Sequence, residues 1–262
     1  MATLSELYKK ELVNAYGIIA KDNHCVFCGK FIESGYCDCR KASKINPYYK
    51  RVFAKLDSLA IWGSDSNDFI QRQLKIAATP QRFRGFEFDD FKITIKEQQQ
   101  VLSAVKDYSD NAIKKFMTGE NLLLIGNYGT GKTMLMSILC EDLIYKYQFN
   151  CRYFNAVELL YMVKNTFNKQ ADMTTEQILK QYRSPDFLFL DDIDKLNPTE
   201  YVKELMYGIV NYRIEKKKPT IISANSSIED LDLKFFGEAV VSRLLEGSKT
   251  IVFDFKNMRI ES

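Results

Sequence analysis

The stretch "LLLIGNYGTGKTMLMSILCEDLIYKY" (Leu122–Tyr147) constrains this chain more than any other. An apolar run ends at Gly126, the spacing Gly126-x-x-x-x-Gly131-Lys132-Thr133 follows, and Met134–Tyr147 has the length and composition of a helix. Glycines let the backbone turn sharply and bring its N–H groups close to phosphate oxygens. Lysine supplies a point charge for the outer phosphates, threonine a hydroxyl ligand for magnesium, and the helix N-terminus faces the anion. The segment Gly126, Asn127, Tyr128, Gly129, Thr130, Gly131, Lys132, Thr133 and Met134 is therefore expected to cradle a nucleotide. A buried strand feeding such a loop and helix commits its surroundings to an α/β layer architecture.

The rest of the second half keeps that rhythm. Short apolar runs at Asn121–Ile125, Arg152–Asn155, Phe187–Leu190, Thr220–Ala224 and Thr250–Phe253 alternate with helix-length segments, which predicts a mostly parallel sheet with crossover helices. Glu97–Met117 reads as one helix leading into the first strand. Upstream, Thr79–Phe91 ("TPQRFRGFEFDDF") breaks periodicity with Pro80, Gly85 and irregularly spaced Phe, and reads as an ordered linker. Residues 1–18, 43–62 and 67–77 read as helices. The expected division is an N-terminal module at 1–78, a linker at 79–96 and the α/β domain at 97–262.

In "PDFLFLDDIDKL", a continuous apolar run suited to a strand buried on both faces ends in Asp191 and Asp192. Carboxylates at the carboxyl end of a central strand lie where open sheets place ligands. Asp191 is expected to hold magnesium through water and Asp192 to act as general base. An acidic pair after a strand is by itself a common solvated turn; the phosphate loop upstream is what favours the functional reading. Asn225 ends the apolar run of "TIISANSS" and is either a turn former or a group that orients water. Arg243, among apolar residues in "GEAVVSRLLEG", either snorkels or reaches a neighbour's phosphate.

The order of motifs, phosphate loop, "FLDDID", "PTIISANSS", "VVSRLL" and "FDFKNMR", resembles the AAA+ ATPases of the DnaC/DnaI helicase-loader group over roughly residues 80–262. The resemblance implies a parallel five-stranded sheet with flanking helices and ATP bound with magnesium at subunit interfaces. It also implies self-association, or docking on a hexameric replicative DNA helicase. By position, Lys132 and Thr133 match Walker A, Asp191 and Asp192 Walker B, Asn225 sensor one, Arg243 the arginine finger and Arg259 sensor two. Many relatives carry Asp-Glu at Walker B; the shorter Asp192 implies slow hydrolysis. Tyr128 stands where many have proline, which removes no phosphate contact. The group binds single-stranded DNA through a helix after the second strand. Lys164 and Phe167 would supply a phosphate contact and a stacking face there, with Tyr201 a second stacking candidate.

The N-terminal module carries "HCVFCGKFIESGYCDC", with Cys25-x-x-Cys28 and Cys37-x-Cys39 separated by eight residues. Two short turns bearing paired thiols can close a tetrahedral zinc site, structural because four thiolates fill the shell. His24 could replace one thiol. A largely helical zinc module of this size suits docking, and the group it resembles uses its N-terminal domain to hold the helicase. Net charge of +3, from 37 basic and 34 acidic residues, argues against a wholly basic nucleic-acid coat. With no apolar run near the ~20 residues a bilayer span needs, a cytoplasmic, membrane-free location is expected. The alternative is an IstB-like transposition-regulatory ATPase acting with a transposase on DNA, a group not associated with such a zinc module. A metabolic kinase would leave Arg243 and Arg259 unexplained.

Overall fold

The computed structural model describes residues 66–165, 174–196, 199–231 and 238–258. The chain divides into two units, Met1–Phe69 and Ile70–Ser262, and the sheet and the phosphate loop belong to the second. The expected zinc ligands Cys25, Cys28, Cys37 and Cys39 lie outside the described residues, as do Phe167 and Arg259. No described helix is long and apolar enough to cross a membrane.

Five strands form one sheet in the order β2-β3-β4-β1-β5: β1 Asn121–Gly126, β2 Cys151–Asn155, β3 Phe187–Asp191, β4 Thr220–Ala224 and β5 Ser248–Phe253. Every pairing is parallel. The inner strands β3 and β4 are buried at every position and β1 at all but its last, as a sheet covered on both faces requires. The outer strand β5 alternates, with Val252 exposed between buried Ile251 and Phe253. The five apolar runs read from the sequence are these strands, extended by up to two residues.

The described helices longer than one turn, in chain order, are α1 Ser66–Ala77, α2 Lys96–Asp110, α3 Ala112–Thr118, α4 Lys132–Tyr147, α5 Ala156–Asn165, α6 Thr175–Arg183, α7 Glu200–Glu215 and α8 Glu238–Leu245. The sequence predicts one helix over Glu97–Met117; the structure has two. They part at Asn111, which sits at φ −100°, ψ 18° with its side-chain amide donating to Asp107 O at 2.8 Å. An asparagine that bonds back to the preceding turn offers the backbone an alternative to continuing. Gly119, at φ 76°, then closes α3 and returns the chain to β1.

The segment expected as a linker lies within the second unit and is tied down. Two single-turn 3-10 helices, Gln81–Phe83 and Phe88–Asp90, occupy it. Glu141 of α4, buried to 5%, accepts from Thr79 Oγ1 at 2.6 Å and Gly85 N at 2.9 Å. Phe91, also buried, abuts Gly131 of the phosphate loop.

The two ends of the sheet differ in kind. At the amino ends of the strands, Phe116, Phe149 and Phe187 interlock with ring centroids 4.8–6.2 Å apart. Beside them lies Arg213 of α7, fully buried. Its guanidinium donates to Thr220 Oγ1 at 2.9 Å and to the carbonyls of Tyr182, Pro185 and Pro219 at 3.0, 3.1 and 2.6 Å. That network fastens the chain where it enters β3 and β4. The carboxyl ends of β1, β3 and β4 carry the polar residues singled out from the sequence.

Candidate functional site

β1 delivers the loop at Gly126, whose φ of 129° leaves no room for a side chain: a Cβ there would run into the carbonyl oxygen of Phe253 on β5. Gly131, at φ 89°, begins α4, and a Cβ on it would meet the Phe91 ring at 2.6 Å. Thr130 Oγ1 donates to Asn127 O at 2.8 Å, and Met258 N donates to Gly129 O at 3.0 Å, so the loop is braced from inside and from the C-terminal segment. The backbone curves as an anion cradle does, over the N-terminus of a 16-residue helix. The residues present thus fit a nucleotide's phosphates.

Lys132 is 5% exposed and folds back onto the loop, donating to Gly126 O at 2.9 Å and Asn127 O at 2.6 Å. These carbonyls satisfy the ammonium and keep its charge at the mouth of the loop. Thr133 Oγ1 lies 3.3 Å from Asp191 Oδ1, bringing together the two groups expected to serve magnesium.

Asp191 is 2% exposed at the end of β3. Its Oδ1 also accepts from Ser223 of β4, and its Oδ2 accepts from Tyr153 of β2 at 2.7 Å. Burial raises the carboxyl above its usual range; the Ser223, Tyr153 and Thr133 hydroxyls pull it back and the neighbouring Asp192 charge adds to the rise. Tyr153 is itself raised, by burial and then by the Asp191 charge, so its hydroxyl keeps its proton and donates. Bound magnesium would polarise phosphoryl oxygens and offset the carboxylate's charge; Thr133 and Asp191, 3.3 Å apart, are the residues that would hold it.

Asp192 adopts a left-handed backbone, φ 55° and ψ 48°, which turns the chain away from the strand direction. Its N–H donates to Ser223 Oγ at 2.8 Å. The side chain accepts from Asn225 Nδ2 at 3.1 Å on Oδ1 and from the Lys195 ammonium on Oδ2. Asn225 is fixed in turn by Asp194, whose Oδ1 accepts its backbone N–H at 3.1 Å. The asparagine thus holds the acidic turn after β3 against the end of β4.

A cleft of about 540 Å³ opens over these groups, lined by Tyr128–Met134 of the loop, by Asp192, Lys195 and Asn225, by Arg82, Phe83 and Phe91 of the linker, and by Met258. Lys132, Thr133, Asp192 and Asn225 therefore converge on the cleft, whereas Asp191 does not line it and joins them through Thr133. Gly126 and Asn127 form the floor of the loop instead, through their carbonyls. Arg243 on α8 does not line this cleft: it pairs with Glu246 at 3.6 Å, with its side chain 41% exposed. Tyr201 lies at the start of α7, 40% exposed, and Lys164 near the end of α5.

Sequence reasoning missed Tyr153, Ser223, Asp194, Lys195, Arg82, Phe83 and Met258. Lys195 had a signal, three residues after Asp192 in a tight acidic turn; Ser223 had a weaker one as a polar residue inside an apolar run. Among the described residues, no group of three or more His, Cys, Asp or Glu side chains is arranged to hold a metal ion. The free thiols Cys140 and Cys151 are both buried in the core, where they pack.

Known proteins align with this arrangement. The Escherichia coli K12 protein "Replicative helicase loader DnaC" is 26% identical over 194 residues, covering 72% of this chain and 76% of its own. The crystal structure of the DnaC helicase loader superposes with a TM-score of 0.59 at 24% identity, covering 66% of this chain and 99% of that one. The crystal structure of DnaI does so at 0.55 and 17%, covering 67% and 94%. Both structural likenesses carry the fold. The sequence profile of the IstB-like ATP binding proteins matches residues 63–261, loop, acidic pair and final strand included. The chain belongs to that family, as a DnaC-like AAA+ ATPase.

Proposed function

We propose that this protein is an ATP-dependent loader of a hexameric replicative DNA helicase onto single-stranded DNA. The observation that carries the reading is the likeness to a replicative helicase loader over 194 residues, 72% of this chain, joined to a cleft lined by the phosphate loop, Asp192 and Asn225. In this reading Lys132 leaves the loop carbonyls for the outer phosphates. Thr133 and Asp191 hold magnesium, and Asn225 and Asp192 position the attacking water. Hydrolysis is slow, because Asp192 is shorter than glutamate and its oxygens are held by Asn225 and Lys195. Arg243, half-exposed and outside the cleft of its own subunit, is available to complete a neighbour's site, with Arg259 acting as sensor two. Self-association through this domain then depends on the bound nucleotide.

The proposed division keeps residues 1–78 as a zinc-held helicase-docking domain with Cys25, Cys28, Cys37 and Cys39 as ligands, 79–96 as linker and 97–262 as the ATPase. Lys164, Phe167 and exposed Tyr201 would contact single-stranded DNA. The test is co-purification of the full chain with a replicative helicase and, separately, with a transposase, in ATP and in ADP. The loader reading expects ATP-dependent retention of the helicase. Retention of the transposase alone would instead support the IstB-like alternative.

A further inference from the structure

The Asp192 carboxylate is engaged at both oxygens, by Asn225 on one and by the Lys195 ammonium on the other. The two partners are not equivalent. Asn225 is itself anchored to Asp194 at the end of β4, whereas Lys195 ends a 3-10 turn with its side chain 49% exposed, against 16% for Asp192. Lys195 also lines the same cleft as Lys132, Thr133 and Asn225. It is therefore a half-exposed cation with an acidic neighbour on one side and the nucleotide cleft on the other. Lys132, by contrast, is buried and bound to loop carbonyls.

We propose that Lys195 distinguishes a nucleoside triphosphate from a diphosphate by leaving Asp192 for the terminal phosphate. With Lys195 on one oxygen and Asn225 on the other, the Asp192 carboxylate is engaged on both sides and is poorly placed to accept a hydrogen bond from a water. A terminal phosphate brings more negative charge into the same cleft than a single carboxylate offers, so the flexible lysine exchanges partners. Asp192 then keeps Asn225 and regains its free oxygen. With a diphosphate, Lys195 stays on Asp192 and the acidic turn stays closed. The ion pair is thus an intramolecular lock opened by the third phosphate.

This inference rests on the nucleotide reading of the cleft, and the experiment separates the two. Fluorescent ADP and a non-hydrolysable ATP analogue are titrated, with magnesium, into the full-length protein and its Lys195→Met and Lys195→Arg variants. Lys195→Met should weaken the triphosphate analogue about tenfold, the worth of one charge-assisted contact, and change ADP by less than about twofold. Lys195→Arg should restore most of the preference. Unchanged affinity for both nucleotides, or an equal loss for both, would overturn the phosphate-sensing role while leaving the cleft a nucleotide site. Failure of the unsubstituted protein to bind either nucleotide would overturn the cleft reading and this inference together.

Discussion

The two ends of the sheet both bury charge, and they do it in opposite ways. At the amino ends, Arg213 of α7 spreads one guanidinium over backbone carbonyls and the Thr220 hydroxyl, supplied by α6, by the residues leading into β3 and β4 and by the first residue of β4. At the carboxyl ends, Lys132, Asp191, Asp192 and Lys195 gather near one another, each holding partners that a ligand could replace. The first arrangement fixes geometry. The second tolerates unfavourable burial of like charges so that phosphate and metal can relieve it. Burial alone does not separate a structural charge from a functional one; the permanence of its partners does.

That contrast can be broken by substitution. The largest effect belongs to Arg213→Met, which strands several buried carbonyls: urea unfolding should show a loss of about 3 kcal/mol or more. Lys132→Met, at the other end, should stay within about 1 kcal/mol of the parent because loop carbonyls at the cleft can turn to water. Equal losses would erase the distinction. A smaller effect is expected of Tyr153→Phe, which removes the donor on Asp191 Oδ2. It should cost about 1 kcal/mol in the same assay and weaken magnesium-dependent nucleotide binding. Unchanged magnesium dependence would reduce Tyr153 to packing.

The smallest effect has the opposite sign. Burial raises the Asp191 carboxyl above its ordinary 3.8, so the unfolded chain gives up this proton more readily than the folded one. Its contribution to stability is complete below the ordinary value and is lost as pH rises through the raised one. Asp191→Asn should therefore raise the thermal midpoint of the nucleotide-free protein at neutral pH, with the gain vanishing under acid. The same change should remove magnesium's effect on nucleotide binding. A lower midpoint at neutral pH would mean that the hydroxyls around Asp191 outweigh its burial.

The strands and the phosphate loop were legible because their information is local. Apolar runs mark them, and the spacing Gly126-x-x-x-x-Gly131-Lys132-Thr133 places the loop. Groups brought together by pairing register were not legible. Tyr153 reaches Asp191 because β2 runs parallel to β3 with Asn155 beside Asp191, which no spacing along the chain records. Arg213 sits in "NYRIE", where a helix arginine normally reads as solvent-facing, and its burial follows from carbonyls up to 31 residues distant. The split at Asn111 was hidden for another reason: the apolar pattern continues through it, and only the side chain's bond back to Asp107 shows the break. Arg243 was visible as a candidate, but its role as a finger would be played out on a neighbouring subunit, which the sequence of one chain does not encode as a contact.

The tether at Glu141 has a mechanical consequence. Thr79 and Gly85 are both fastened to one carboxylate on the helix that begins at the phosphate loop, and Phe91 presses on the glycine where that helix starts. Tension applied to the chain ahead of Thr79 is therefore shared between Arg152 of β2, which holds the carbonyl of Ile76, and Glu141 on the helix that begins at the phosphate loop. A segment fastened this way would pass a pull on Thr79 or Gly85 to the helix whose first turn faces the phosphate loop.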